Sequence, residues 1–505
     1  MSREHRVEVT LTNTHAVITR ATDEQWAQLS DYWSFFAPNA RWVPSYKLYL
    51  RTRKEAEREN DPSLIQGWDG MVRLLKNDGS LAAGVYRATK KEIKEKLGIR
   101  FSTTWDLPDI RIRQAKLYTG EEKYQYQYEA VKAMCENTAA GGGIILSATG
   151  TGKTKEASDY FYQHDYPSLF VVNRKTLMYQ TKKELEYWLH GEEVGIVGDG
   201  VKQIRRVTVA TVQTLQLYAH TREFEKWFDM IKIVFVDELH KQMAKSNFKL
   251  LNQIRPIARF GLTASLQMKK KAVRYKAWEY AGPVIYEFPY AEARDREVLA
   301  EGHVLQLRFP DSGLDYDGDW REEYLAEVVE NETKLKACSL IARWLIESGR
   351  SVILLVNRQA HVAALRALFR DVKHRVAYGP VKQTRRAVAL KKFEAGKIKL
   401  MIASSIFEEG INIKRVSAII DLAEFRSKDS ALQKFGRGVR LHLDKSNLVY
   451  IDIGTETGRY RKAAVSRQRA LRAAGVPVTV VKVGTPKAAK SAVVAFCHQL
   501  DGGGA

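Results

Sequence analysis

The sequence predicts an α/β protein with two tandem, doubly wound parallel-sheet domains preceded by a small α+β N-terminal domain. Three observations carry this. Apolar, β-branched runs recur at Leu169 to Val172, Val207 to Ala210, Ile231 to Val236, Val352 to Val356, Leu400 to Ala403, Ala418 to Leu422 and Leu448 to Ile451, separated by helix-length amphipathic stretches, the alternation of parallel sheets. One further run, Gly143 to Leu146, leads straight into a glycine-rich turn. The 505 residues, 45% of them hydrophobic, suffice for about three domains with large cores. The divisions fall at 1–112, 113–297, 298–475 and 476–505.

Residues 1–112 begin with an alternating Val7, Val9, Leu11 strand signal. The aromatic group Trp26, Tyr32, Trp33, Phe35, Phe36 and Trp42 reads as core rather than as a base-stacking surface. Gly67-Trp68-Asp69-Gly70, alternating Val72 and Leu74, and the turn Asn77-Asp78-Gly79 signal a hairpin. Gly84-Val85-Tyr86 reads as a strand. Thr89 with Glu92 reads as the capping box of a short helix ending before Gly98, with Lys90, Lys91, Lys94 and Lys96 on a solvated face. Charge in this segment is nearly balanced.

Residues 113–297 hold Ser-Ala-Thr-Gly-Thr-Gly-Lys-Thr at 147–154. This is a phosphate-binding loop: Gly150 and Gly152 let several N–H groups face one anion, Lys153 reaches the outer phosphates, and Thr154 offers a hydroxyl to Mg²⁺. Ser147 stands where the strict pattern has glycine. Asp237 follows Lys153 by 84 residues at the end of an apolar run. It is placed to hold Mg²⁺, and Glu238 to take a proton from attacking water. Gly261-Leu262-Thr263-Ala264-Ser265 closes another strand.

Residues 298–475 contain Gln433-Lys434-Phe435-Gly436-Arg437-Gly438-Val439-Arg440. Arg437 and Arg440 lie three apart, so on a helix they share a face and can stabilise charge on a departing phosphoryl group. Residues 456–505 hold nine Lys and Arg against Glu456 and Asp501, and 476–505 read as a basic, solvated tail.

These four segments, in this order and spacing, resemble the superfamily 2 helicases and translocases, with Asp-Glu-Leu-His as a DExH-type second motif. The weaker motifs are present too: Tyr126-Gln127-Tyr128-Glu129-Ala130, Val172-Asn173-Arg174-Lys175, Ala210-Thr211-Val212-Gln213-Thr214, Leu354-Leu355-Val356-Asn357-Arg358, Ile402-Ala403-Ser404-Ser405 and Glu409-Gly410-Ile411-Asn412. The resemblance covers residues 115 to 475 and implies two RecA-like domains with ATP in the cleft between them. It implies that Gln127, Thr149, Gly150, Thr151, Gly152, Lys153, Thr154, Asp237, His240, Gly410 and Asn412 bind the nucleotide. Catalysis would fall to Lys153, Glu238, Gln433, Arg437 and Arg440, and Mg²⁺ to Thr154 and Asp237. Nucleic acid would meet Arg174, Thr211, Gln213, Asn357, Arg358 and Ser404. At Asn412 the family commonly has Asp; the amide keeps the hydrogen bonding and loses the charge.

Trp42-Val43-Pro44, the Trp-Asp-Gly hairpin with Arg73, and Gly84-Val85-Tyr86 before a lysine-rich helix resemble the N-terminal domain of the UvsW-like DNA helicases. That resemblance implies remodelling of branched DNA in the manner of RecG and XPB: fork regression, branch migration, and R-loop or D-loop unwinding. It also implies 3′-to-5′ polarity, Mg²⁺-ATP, monomeric action, and recombination or replication proteins as partners. An RNA helicase and a duplex-DNA translocase subunit of a restriction-type complex stay open as alternatives.

The net charge of +22 and pI near 9.6 point to a polyanionic partner, with nucleic acid the economical choice. Cys135, Cys338 and Cys497 are too widely spaced for a disulfide framework or a metal pattern. No run of 18 apolar residues occurs. The expectation is a soluble protein without a membrane partner, acting in the cytoplasm, the infected host's if the gene is viral.

Overall fold

The computed structural model describes residues 6–112, 121–264, 271–314, 316, 319–379, 381–404, 413–424 and 428–502. The chain divides into two compact units. The first comprises Met1–Thr119, Gln127–Leu146 and Thr154–Glu287; the second comprises Gly120–Tyr126, Ser147–Lys153 and Phe288–Ala505.

In the first unit the strand Arg6–Leu11 buries Val7, Val9 and Leu11 and turns the alternate residues outward, as its period of two requires. It pairs antiparallel with His15–Arg20 and parallel with Arg100–Trp105, and Ser80–Ala82 completes a four-stranded sheet. The expected hairpin is half right. The turn exists, with Gly79 at φ 81° and the Lys76 amide donating to the Ser80 carbonyl at 2.9 Å. Its arms separate, because Met71–Arg73 pairs with Ser34–Phe36 while Ser80–Ala82 joins the four-stranded sheet.

Gly84-Val85-Tyr86 is helical, not a strand: the helix is Ala83–Leu97. A short, wholly buried apolar run looks alike in either state. Thr89 is accordingly no cap. It lies mid-helix, donating to the Val85 carbonyl at 2.7 Å and accepting from Trp33 Nε1 at 2.9 Å. Trp33 and Phe35 are core as expected, whereas Trp42 is 81% exposed.

This helix meets the helix Lys271–Ala281 without clearance: a methyl group built on Gly84 would lie 1.9 Å from the Trp278 carbonyl oxygen. Arg87 donates to the carbonyls of Ala140 and Gly142 at 2.7 and 2.9 Å and to Asn137 Oδ1 at 2.6 Å. Burial brings its pKa down to about 10. Val7, Trp33 and Tyr86 thus belong to one continuous core with Tyr275 and Trp278. Gly84→Ala is expected to cost about 1–3 kcal/mol by overpacking, read as a lowered thermal midpoint.

The larger sheet has eight strands in the order Val201–Gln203, Gly195–Gly198, Val207–Thr211, Ser168–Val172, Ile233–Asp237, Ala258–Thr263, Gly142–Ser147, Val284–Phe288. Its central pairs are parallel, so the wholly apolar strands are buried on both faces.

The second unit is built on seven strands in the order His374–Ala377, Leu400–Ala403, Val352–Leu355, Ala418–Asp421, Asn447–Thr455, Glu301–Phe309, Val478–Lys482, every pair parallel. The last strand corrects the expected tail. Val478–Lys482 extends the sheet, and the helix Pro486–Gly502 places Ala489, Val493, Phe496 and Cys497 in the core. The spacing of those apolar residues outweighs the charge count. Arg467, one of the nine cations, is itself buried and clamps Asp452 at 2.9 and 3.0 Å.

His361 is fully buried, with no hydrogen-bond partner for either ring nitrogen among the described residues. Burial, aided by the Lys334 charge, pulls its pKa down to about 4 from 6.5. The unfolded chain therefore binds the proton more readily. His361 should cost nothing above pH 6.5, and stability should fall by roughly 3 kcal/mol between pH 6.5 and 4, measured against His361→Gln by denaturant titration.

Among the described residues no helix is long and apolar enough to cross a membrane.

Candidate functional site

The strand Gly142–Ser147 ends where the chain turns into the helix Lys153–Phe161. Gly150 and Gly152 hold φ at 97° and 95°, a conformation that side chains with a Cβ rarely adopt. Lys153 Nζ donates to the carbonyls of Ser147 at 2.9 Å and Ala148 at 3.1 Å, and the Thr151 hydroxyl donates to Ala148 at 2.9 Å. The loop is thus wrapped around its own lysine. Tyr126 braces it from outside, donating to the Thr151 carbonyl while its ring stacks on Phe288 at 4.0 Å and 5°. Gln127 is half-buried on the first turn of Gln125–Asn137, and Thr154 is half-buried at the start of the next helix.

Within the second unit the loop lies on the arginine segment. A methyl group on Gly436 would stand 2.6 Å from Thr149 Cβ, and one on Gly150 would stand 3.2 Å from Arg440 Cγ and 3.4 Å from its Nε. Gln433 and Arg437 are buried on the helix Lys428–Gly438. Arg440 does not continue that helix. It lies beyond the last turn, in a bridge with Leu299, so the expected shared helix face is replaced by a bend that brings Arg440 to the loop.

Three residues that motif reading passes over hold this arrangement. Asp421, at the end of its strand, accepts from Lys434 at 2.8 Å and from the Tyr450 hydroxyl at 2.6 Å, tying the arginine helix to the sheet. Although burial opposes its charge, the Lys434 ammonium and its hydrogen bonds hold the Asp421 carboxyl below the usual range. Lys445 donates to the carbonyls of Gly438, at 2.7 Å, and Arg440, and burial pulls its pKa down to about 7. An acid at a strand end before a Gln-Lys helix is the signal that could have found Asp421.

In the first unit the strand Ile233–Asp237 is buried until its last residue. Glu238 then takes φ 49°, in the left-handed region unusual outside glycine, and its amide donates to Asp237 Oδ1 at 3.0 Å. The kink presents two carboxylates at one strand end. His240 Nδ1 lies 2.9 Å from Thr263 Oγ1 and 3.5 Å from Glu238 Oε2, joining this motif to the next strand. Buried Gln242 bonds Asn173 and accepts from Asn247 Nδ2 at 2.9 Å; Asn247 in turn accepts from Gln216 at 2.7 Å. A polar chain thus runs from the Asp-Glu motif to the segments around Arg174 and Gln213.

Of the candidate nucleic-acid residues, Arg174, Gln213 and Arg358 are exposed and Asn357 and Ser404 half-buried. Thr211 is turned inward, its hydroxyl donating to Thr214 Oγ1 at 2.9 Å. Arg358 lies over the Tyr324 ring at 5.7 Å. Gly410 and Asn412 lie outside the described residues, as does Ser265.

Residues 121–268 match the family described as type III restriction enzyme, res subunit, and residues 333–442 the helicase conserved C-terminal domain. The chain carries these two helicase domains and resembles the superfamily 2 helicases. Among relatives of this helicase, the ATP-dependent DNA helicase uvsW of Enterobacteria phage T4 is 21% identical over 88% of this chain and 89% of its own. The DNA 3′-5′ translocase XPB2 of Sulfurisphaera tokodaii is 24% identical over 69% of this chain and 84% of its own. The helicase IRC3 of Saccharomyces cerevisiae is 26% identical over 67% of this chain, which spans 52% of that longer protein. Two solved structures share the fold. Dbp5 of S. cerevisiae, bound to RNA and ADP BeF3, matches with TM-score 0.52 and 16% identity over 71% of this chain and 89% of its own. The Type ISP restriction-modification enzyme LlaBIII, bound to DNA, matches with TM-score 0.55 and 14% identity over 78% of this chain and 34% of its own.

Proposed function

We propose that this helicase uses ATP to move 3′ to 5′ on DNA and to remodel branched DNA where paired and unpaired strands meet. The match to T4 uvsW carries the reading: it runs over 88% of this chain, past the motor into the N-terminal segment, whereas that to XPB2 covers 69%. The chain Gln216–Asn247–Gln242–Asn173 supports it, since it ties the helix that follows the Asp-Glu motif to the segments that carry exposed Arg174 and Gln213.

In this reading the loop amides and Lys153 hold the phosphates, Glu238 accepts the proton of the attacking water, and Arg437 and Arg440 neutralise charge as the bond breaks. The Thr154 hydroxyl and Asp237 carboxylate would offer hard, oxygen-only donors, which suit Mg²⁺ shared with nucleotide phosphates. Mg²⁺ would supply charge neutralisation there. Glu238→Gln should keep ATP binding while lowering turnover by about 10²–10⁴-fold, the range for a lost general base; full activity would place the base elsewhere.

The test is steady-state ATPase activity without nucleic acid and with single-stranded, duplex or forked DNA or RNA at one salt concentration. Highest stimulation by forks is expected. Stimulation by RNA alone would replace this reading with an RNA helicase.

A further inference from the structure

The helix Pro44–Glu59 carries Lys47, Arg51, Lys54 and Arg58 at intervals of four, three and four residues, which places them on one face. All four are exposed, on the side opposite buried Thr52 and Ala56. None enters a salt bridge among the described residues, while neighbouring Arg53 is held by Glu57 at 2.8 Å. Glu55 and Glu59 only flank the row. On the lysine-rich helix Ala83–Leu97 the free row is shorter: Lys96 is paired with Glu92 at 2.5 Å and Lys90 lies over the Trp105 ring at 5.5 Å, which leaves exposed Lys91 and Lys94.

The row spans about 16 Å at 1.5 Å per residue, the axial length of about five phosphates on one DNA strand. Its backbone is braced. The Thr52 hydroxyl donates to the Gln66 carbonyl and accepts from the Gln66 amide, both at 3.0 Å, and the Trp68 amide donates to Ser45 Oγ at 2.9 Å. Trp42 stands two residues before the helix, 81% exposed, beside exposed Arg41. An indole left in water beside unpaired cations suits base stacking, which every base permits.

We infer that this helix and Trp42 form a second DNA grip outside the motor, the cationic row following the phosphates of one duplex arm and the indole stacking on the base exposed where that arm opens. The inference rests on the reading of the chain as a DNA helicase.

The experiment titrates the full chain into fluorescent forked DNA and closed hairpin duplex across about 50–200 mM salt. Changing Lys47, Arg51, Lys54 and Arg58 to Ala together should reduce the slope of log affinity against log salt by about 3–4 on both DNAs, near one per phosphate contact. Arg51→Lys with Arg58→Lys, which keeps the charges, should preserve the wild-type slope. Trp42→Ala should weaken forked DNA by about 5- to 100-fold and leave the closed hairpin unchanged. If wild type binds and the quadruple variant matches it in affinity and slope, the phosphate row is refuted. Unchanged fork affinity in Trp42→Ala refutes the stacking contact. A wild type that binds no DNA defeats the underlying helicase reading instead.

Discussion

Arg440→Ala should lower kcat for ATP hydrolysis by about 10³-fold, the order for a lost arginine finger, with nucleotide affinity changed only modestly. The geometry behind this is specific. Arg440 sits past the end of its helix, is held in register by the Leu299 bridge, and approaches the backbone of Gly150, where even a methyl group would meet it at 3.2 Å. If the loop holds phosphates as proposed, a guanidinium already delivered to its turn costs little reorganisation when charge develops there. Lysine is a poor substitute, because a point charge on a flexible stem lacks the planar fork. Comparing kcat with nucleotide affinity for Arg440→Ala and Arg437→Ala separates the two roles, and unchanged kcat in the first would leave the function to Arg437 alone.

Lys334→Met should cost the second unit about 3–5 kcal/mol, the penalty for breaking a buried ion pair. Lys334 Nζ donates to Glu424 Oε1 at 2.5 Å, Thr455 Oγ1 at 2.6 Å and the Glu327 carbonyl at 2.7 Å, with both charged side chains only 2% exposed. Removing the ammonium leaves the Glu424 carboxylate buried without its counter-charge. Glu424 also holds the Thr455 amide at 2.9 Å from a backbone φ of 44°, so the damage reaches two strand ends. Thermal unfolding should show a midpoint lowered by about 10 °C. Lys334→Met/Glu424→Leu, which removes both charges, should recover most of the loss.

The parallel sheets were legible because a strand buried on both faces leaves an unbroken apolar run, and such runs were read at Ile231 to Val236 and at Ala418 to Leu422. The turn at 147–154 was legible because its φ angles demand glycine at 150 and 152. What escaped depends on tertiary partners. Gly84-Val85-Tyr86 looked like a strand because nothing local announces the Trp278 carbonyl that Gly84 must clear. The segment after 475 looked like a tail because its lysines stand out while its buried Ala489, Val493 and Phe496 are dispersed among them. Asp421 and Lys445 lie outside every recognised motif, and only the fold reveals that they fix the arginine segment from two sides.

The N-terminal segment is joined to the first motor sheet by more than chain connectivity. Phe35 stacks on Tyr275 at 5.7 Å and 13°, Lys271 donates to the carbonyls of Tyr32 and Ser34 at 3.1 and 2.9 Å, and the helix Ala83–Leu97 touches Trp278. A module held this way behaves mechanically as a handle and not as a leash. Load applied to it would pass through these packed side chains into the sheet whose strand Ile233–Asp237 ends at the Asp-Glu motif. It therefore cannot be exchanged as a cassette: grafting it onto another motor means grafting the Lys271–Ala281 surface as well.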